Sequence, residues 1–363
     1  MRTTTRGDRI RFASIVVTYR CNARCHMCHT WQSPSNPADE IGVRELAKLP
    51  CIPTVNVTGG EPFLRDDLGD LLDVLRPKTR RLVVSTNGYL TDRIVATARR
   101  HPWIGIRVSI EGLPKANDEL RGLPDGFDHG LRTLLALRRL GLRDIGFGIT
   151  LSDRNVADLL DLHTLSQAMG IEFATAAVHN GYYFHKTDNR FDHPEAAIAA
   201  LEKLIDALLR SRRPKDWFRA YFNHGLTEYI RGNPRLLPCA MGGESFFLDP
   251  YGDVRPCNVM ERSMGNLKHD DFRTIWRSPE ADDIRRAVAA CGQRCWMIGS
   301  AAEPIKRNLP AAVRWIVRRK ACPGERRWAE GQGFPLLGAS RMAQRHSGRP
   351  LPQIEDVRGK QGS

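Results

Sequence analysis

The run Cys21-Asn22-Ala23-Arg24-Cys25-His26-Met27-Cys28 follows an apolar stretch, Phe12 to Val17, that reads as a strand. Three thiols in so short a loop cannot all be core cysteines, because such a loop has no interior. In a reducing cell, close thiolates serve as metal ligands more often than as disulfides. A structural zinc takes four protein ligands and favours Cys-x2-Cys pairs. Here the spacing is Cys-x3-Cys-x2-Cys, which leaves one metal corner without a protein ligand. Thiolates also hold iron–sulfur clusters, and an iron lacking a protein ligand can bind a substrate or cofactor. Free surface or core thiols are the plainer alternative.

Outward from this loop, strand-like and helix-like stretches alternate over two thirds of the chain. The predicted strands are Ala13–Val17, Thr54–Thr58, Arg81–Ser85, Ile104–Ile110, Asp144–Leu151 and Ile171–Val178. The predicted helices are Val43–Leu49, Leu68–Leu75, Asp92–Arg100, Gly130–Leu140, Val156–Met169 and Pro194–Leu209. Such alternation indicates parallel βαβ units. Six of them fit an α/β fold, an open partial (β/α)6 barrel, with its chemistry on the loops at the carboxyl ends of the strands. The cysteine loop is the first such loop, and Gly59-Gly60-Glu61-Pro62 is the second. Two glycines let a backbone approach a ligand closely and expose its N–H groups, and Glu61 offers a carboxylate to an ammonium. A tight turn before a helix is the bland reading. The third loop is Ser85-Thr86-Asn87-Gly88, and the fourth is Ser109-Ile110-Glu111-Gly112.

The cysteine spacing together with the Gly59–Pro62 loop resembles the radical S-adenosylmethionine (radical SAM) superfamily. The resemblance implies that Cys21, Cys25 and Cys28 hold a [4Fe–4S] cluster. Its open iron would chelate S-adenosylmethionine, and one electron would cleave that cofactor to methionine and a 5′-deoxyadenosyl radical. It implies cofactor contacts from Gly59, Gly60, Glu61, Pro62, Ser85, Asn87, Ser109 and Glu111. Glu111 stands where relatives usually carry Asp. Arg121, in Asn117-Asp118-Glu119-Leu120-Arg121-Gly122, would bind the cofactor carboxylate as a bidentate fork. Thr150, with Asn155 near it, is placed toward the adenine. The polar and aromatic patch after the sixth strand supplies candidate substrate contacts at His179, Asn180, Tyr182, Tyr183 and His185; a packed loop is the alternative.

Pro214 to Ile230 reads as one helix or two short ones, its aromatic residues being core. The pattern then changes. Phe246-Phe247-Leu248 and Asp253-Val254-Arg255 flank a hairpin turn at Pro250-Tyr251-Gly252. A helix over Asp270–Ala290 follows. Cys239, Gly252 and Cys257, then Cys291 and Cys295, resemble the twitch form of the SPASM domain, an auxiliary iron–sulfur module. Four cysteines fit one auxiliary [4Fe–4S] cluster; a structural zinc is the alternative. The expected domains are 1–235, the barrel; 236–303, the auxiliary module; and 304–363, a basic helix and tail.

Composition sets the frame. The chain has 363 residues, 41% of them hydrophobic, enough for one large core and a small second domain. No run of eighteen apolar residues occurs, so no spanning helix is expected. Met1 to Arg11 is polar and basic without an export segment. Nine cysteines then argue for a reducing cytoplasm and metal ligation. Cys51 is expected to be a buried small hydrophobe. The net charge is +14, and from Lys306 onward thirteen Lys and Arg face four Asp and Glu. Ile305–Lys320 reads as a basic amphipathic helix, suited either to docking on the barrel or to an anionic membrane surface.

The expected function is a net oxidation begun by hydrogen abstraction from a substrate carbon. Candidates are alcohol dehydrogenation of a sugar or aminocyclitol, or peptide modification, with the auxiliary cluster in electron transfer. A flavodoxin or ferredoxin is the expected electron donor, and no specific nucleic acid is expected. The alternative is a redox-neutral epimerase with Cys322 or Cys51 as hydrogen donor. A more distant alternative is a non-catalytic module with two zinc sites and a nucleic-acid-binding tail.

Overall fold

The computed structural model describes residues 10–321. Eight strands make one sheet: β1 (Phe12–Val16), β2 (Thr54–Thr58), β3 (Arg81–Thr86), β4 (Gly105–Ser109), β5 (Ile145–Leu151), β6 (Glu172–Ala177), β7 (Ser245–Leu248) and β8 (Val254–Arg255). Their order is β6-β5-β4-β3-β2-β1-β7-β8. The first six are parallel, and β6 and β8 stand at the two edges, so the barrel is open. β7 adds to β1 in parallel, Phe12 opposite Ser245, and β8 returns antiparallel as the expected hairpin. The C-terminal cysteine block thus shares a sheet with the barrel.

The helices run α1 (Val43–Ala47), α2 (Leu68–Leu75), α3 (Thr91–Arg100), α4 (Pro114–Arg121), α5 (Gly126–Arg139), α6 (Leu159–Met169), α7 (Pro194–Arg210), α8 (Pro214–Ile230), α9 (Phe272–Trp276), α10 (Pro279–Ala289), α11 (Ile298–Arg307) and α12 (Leu309–Ala321). α7 shows why they form. Pro194 opens it at a position where no N–H is needed. Ala197, Leu201, Leu204, Ile205 and Leu208 then recur at helical spacing and are buried.

Strand alternation positions the site. In β2, Val55 and Val57 are buried in the main core, while Asn56 and Thr58 face the barrel interior. Ser14, Ser85, Ser109 and Thr150 face it from β1, β3, β4 and β5. The polar set of one face thus becomes a cavity wall.

Three expectations are corrected. The helix over Asp270–Ala290 is two, because Ser278 caps a new start by accepting from the Ala281 N–H at 3.0 Å, with Pro279 at its first position. The helix over Ile305–Lys320 is also two, broken at Asn308, whose side chain donates to Pro304 O at 2.8 Å. Cys51 is exposed in the loop before β2, because Leu49 and Ile52 on either side of it take the core positions there. Cys322 lies outside the described residues.

Candidate functional site

At the carboxyl ends of β1 to β5 lies a cavity of about 330 Å³. Cys21, Cys25 and Cys28 form part of its wall. Cys25 is buried and the other two are half-buried. Burial pushes the Cys21 thiol up to about 12 and raises Cys25 as well. Thiols so placed stay neutral unless a cation takes them as thiolates. Among the described residues no group of three or more His, Cys, Asp or Glu side chains is placed to hold a single metal ion. A four-iron cluster takes its thiolates at the corners of a wider core, and three thiols on one cavity wall fit it.

The cysteine loop is held from two sides. Arg24 N–H donates to Arg121 O at 2.9 Å, and His26 N–H to Leu120 O at 2.8 Å. Gly122 caps α4 with φ +55°, and a Cβ there would stand 2.5 Å from Arg24 O. On the other side, Gly60 N–H donates to Thr18 O and Glu61 N–H to Arg20 O, both at 2.8 Å. A Cβ on Gly59 would lie 2.5 Å from Thr18 O, and one on Gly60 2.3 Å from Arg20 O. The two glycines are therefore required by the backbone of the cysteine loop, and the N–H groups of Gly60 and Glu61 are already used. This corrects the expectation that they are bare for a ligand.

Glu61 is placed differently from its expected role too. It is fully buried, and its carboxylate accepts from Phe63 N–H at 3.1 Å, Thr86 Oγ1 at 2.8 Å and Asn87 N–H at 2.7 Å. Burial raises its pKa, against those three bonds. Glu61 thus ties the second loop to the third, and neither it nor Pro62 lines the cavity. Gly59, Gly60, Ser85, Asn87, Ser109, Glu111, Arg121 and Thr150 do line it.

Arg121 and Glu111 form a buried ion pair at 3.2 Å. Burial opposes the Arg121 charge, but Cys25, Glu111, Cys21 and Glu61 around it more than offset this and hold it above its ordinary value. Burial raises Glu111, with Arg121 and the Thr150 N–H acting the other way. Asn155 does not face the cavity: its amide donates to Glu111 O at 2.7 Å and Thr150 O at 2.9 Å. Asn117 accepts from Glu111 N–H at 2.9 Å. Both fasten the fourth and fifth loops.

Of the candidate substrate residues, only Tyr183 lines the cavity. Its Oη donates to Gly59 O at 2.7 Å, its N–H to Asn258 O at 3.4 Å, and its C=O accepts from Thr30 Oγ1 at 2.8 Å. His179 is held behind Asn258, whose amide donates to Nε2 at 3.2 Å. Asn180 is bound to Asn189. Tyr182 packs against Phe247 beneath the Arg255 guanidinium, and His185 stands edge-on to Tyr19. Phe184 of the same patch also lines the wall, and sequence reasoning missed Trp31, Met241, Phe247, Asn258 and Met297, all in it. Ser14 and Asn56 were missed also, though each is a polar residue at an inward position of an apolar strand.

Beyond the cavity, Cys239, Cys257, Cys291 and Cys295 lie close enough that Cys239, Cys257 and Cys295 each feel others of the set electrostatically. Burial raises Cys239 and Cys257 and pushes Cys295 up to about 12. Arg235 holds this corner: it donates to the carbonyls of Cys295 and Ser300 and lies 5.1 Å from the Trp296 ring centre.

Comparison with known proteins gives a consistent picture. Residues 15–165 match the family model of the radical SAM superfamily, and 239–296 match SPASM, an iron–sulfur cluster-binding domain. Pre-heme d1 synthase of Dinoroseobacter shibae is 26% identical over 318 residues, 77% of this chain and 76% of that one. The subtilosin biosynthesis protein AlbA of Bacillus subtilis is 23% identical, covering 76% of this chain and 62% of its own. Mycofactocin maturase MftC of Mycobacterium tuberculosis is 25% identical, covering 76% and 73%. In fold, Streptococcus suis SuiB matches with TM-score 0.60 at 17% identity over 77% of this chain and 68% of its own. The enzyme anSMEcpe with bound AdoMet and peptide matches at 0.58 and 12% identity over 85% and 99%.

Proposed function

As a member of the radical SAM superfamily with a SPASM domain, the chain is a radical SAM enzyme, and we propose that it carries out a net oxidation of an uncharged group on a peptide or small-molecule substrate. One observation carries this reading. The cavity walled by Cys21, Cys25 and Cys28 also reaches Met241, Asn258 and Met297 of the C-terminal cysteine block. Cys21, Cys25 and Cys28 would hold the first [4Fe–4S] cluster, and Cys239, Cys257, Cys291 and Cys295 the auxiliary one. When bound, the first cluster and S-adenosylmethionine supply the radical that takes hydrogen from a substrate carbon.

The chain's own residues bind, orient and exclude. Arg121 presents a preformed cation to the cofactor carboxylate, with Glu111 holding it in place. Tyr183 fixes the Gly59 carbonyl at the cavity wall. Trp31, Phe184, Met241, Phe247 and Met297 keep water from the reacting centre. Among the described residues, the wall carries no charged group apart from the three thiols, Glu111 and Arg121. A charged substrate group would be desolvated there without a partner, which favours an uncharged one. Relatives named for subtilosin biosynthesis and mycofactocin maturation support a peptide, and those named for heme synthesis support a small molecule.

Four protein thiolates leave the auxiliary block no open coordination position, which favours electron uptake over substrate binding. An external flavodoxin or ferredoxin, in the cytoplasm, completes the reading as electron donor. Epimerisation is less well supported. Among the described residues no thiol besides Cys21, Cys25 and Cys28 lines the cavity, and Cys51 is exposed before β2. Anaerobic incubation with reductant and candidate peptides, followed by mass spectrometry, tests the proposal. It requires 5′-deoxyadenosine and a product lighter by two hydrogens. Unchanged mass in H2O, with one deuterium gained at carbon in D2O, would establish epimerisation instead.

A further inference from the structure

α12 is clamped to the molecule by one face. Ala312 and Ile316 are buried. The Trp315 indole stacks on His224 with ring centres 4.8 Å apart, and Arg319 pairs with Glu202. Positions 312, 315, 316 and 319 fall on one side of the helix. Leu309, Val313 and Val317 lie on another and are 45%, 45% and 57% exposed. They recur every fourth residue, so they form one row about 12 Å long. The expected apolar face is therefore divided: Ile305, Ala312 and Ile316 dock on the core, and three residues do not.

Arg314 and Arg318 form a second exposed row beside the first. No ion pair is found for either among the described residues. From Lys306 to Ala321 the chain has no Asp or Glu. An aliphatic row along a helix, bordered by unpaired arginines, suits the interface of an anionic bilayer, which offers acyl chains and phosphates side by side. The chain's own residues 322–363 are a poor cover: they carry seven Lys and Arg against four Asp and Glu, a net +3 of like sign.

We propose that the outer face of α12 is a docking surface for an anionic lipid bilayer, with Leu309, Val313 and Val317 at the acyl boundary and Arg314 and Arg318 on lipid phosphates. Binding is reversible and weakens with salt. Co-sedimentation of the full chain with vesicles of phosphatidylcholine, with and without phosphatidylglycerol, tests it. Wild type should pellet several-fold more with the anionic vesicles at low salt and lose that excess at high salt. The double variant V313N/V317N should lose most of the excess, and R314Q/R318Q should reduce it several-fold. The tail variant R341Q/R345Q/R349Q should retain it. Val313, Arg314, Val317 and Arg318 are exposed, and unchanged thermal melts establish that each variant is folded. Failure of wild type to pellet overturns the proposal. So does full binding by V313N/V317N, since charge alone would then account for it. Pelleting without vesicles that V313N/V317N abolishes would make the row a protein–protein contact and overturn it likewise.

Discussion

Tyr183 joins three segments through three different atoms. Its Oη reaches the Gly59 carbonyl, its C=O takes the Thr30 hydroxyl, and its N–H points to Asn258 beside Cys257. Thr30 in turn lies 3.1 Å from the Cys28 sulfur. Tyr183→Phe removes only the first of these bonds. It should cost about 1 kcal/mol of stability in denaturant unfolding. S-adenosylmethionine binding should weaken roughly fivefold by calorimetry, because the Gly59 carbonyl loses its anchor. Unchanged affinity would show that Gly59 needs no support from Tyr183. At the other end of the barrel, Asp144 meets Arg81 at 2.8 Å and also pairs with Arg107. Burial pushes its carboxyl up, but the two arginines prevail and hold it at about 2. Its folded value is thus below the unfolded one near 3.9. The stabilisation is complete above about pH 4 and is lost as pH falls toward 2. Discounted for its solvent-facing side, it amounts to about 1 kcal/mol. Asp144→Asn should lower stability by about that much at pH 7 and by little near pH 2. A constant difference across that range would mean the pair contributes by shape rather than charge.

The first and second loops form one unit, locked by backbone contact. Gly60→Ala would place a methyl 2.3 Å from Arg20 O, which is backbone and cannot swing away. The loops should separate while the strands persist. Reconstituted protein should then fall from about eight irons to about four, with its far-ultraviolet circular dichroism unchanged. Full iron loading would contradict the lock. The placement of these loops was legible in the sequence because period-two strands alternate with period-3.6 helices, and each motif follows a strand. The roles inside them were less legible. The pattern Gly59-Gly60-Glu61 does not say whether its glycines serve a ligand or a neighbouring carbonyl; that depends on Thr18 and Arg20, which lie some forty residues earlier. The division at Ser278-Pro279 is marked in the sequence by a capping residue followed by proline. The pairing of β7 with β1 was not legible, since strand partners over two hundred residues apart leave no local mark.

Across the whole molecule, that pairing makes barrel and auxiliary block interdependent. Phe246 is fully buried at their junction, with its ring 5.0 Å from Phe272 and 5.8 Å from Trp276. Phe246→Ala should cost about 3–5 kcal/mol and lower one cooperative transition rather than release residues 236–303 alone. Two resolved transitions would show that this block folds by itself. The same junction brings the cavity wall next to the second cysteine set, on which the oxidative reading depends. The most direct test is anaerobic turnover of the Cys239→Ala/Cys257→Ala double variant beside wild type, with 5′-deoxyadenosine and substrate product both measured. The account predicts that the variant still forms 5′-deoxyadenosine while its oxidised product is lost. Oxidised product at the wild-type yield would contradict it.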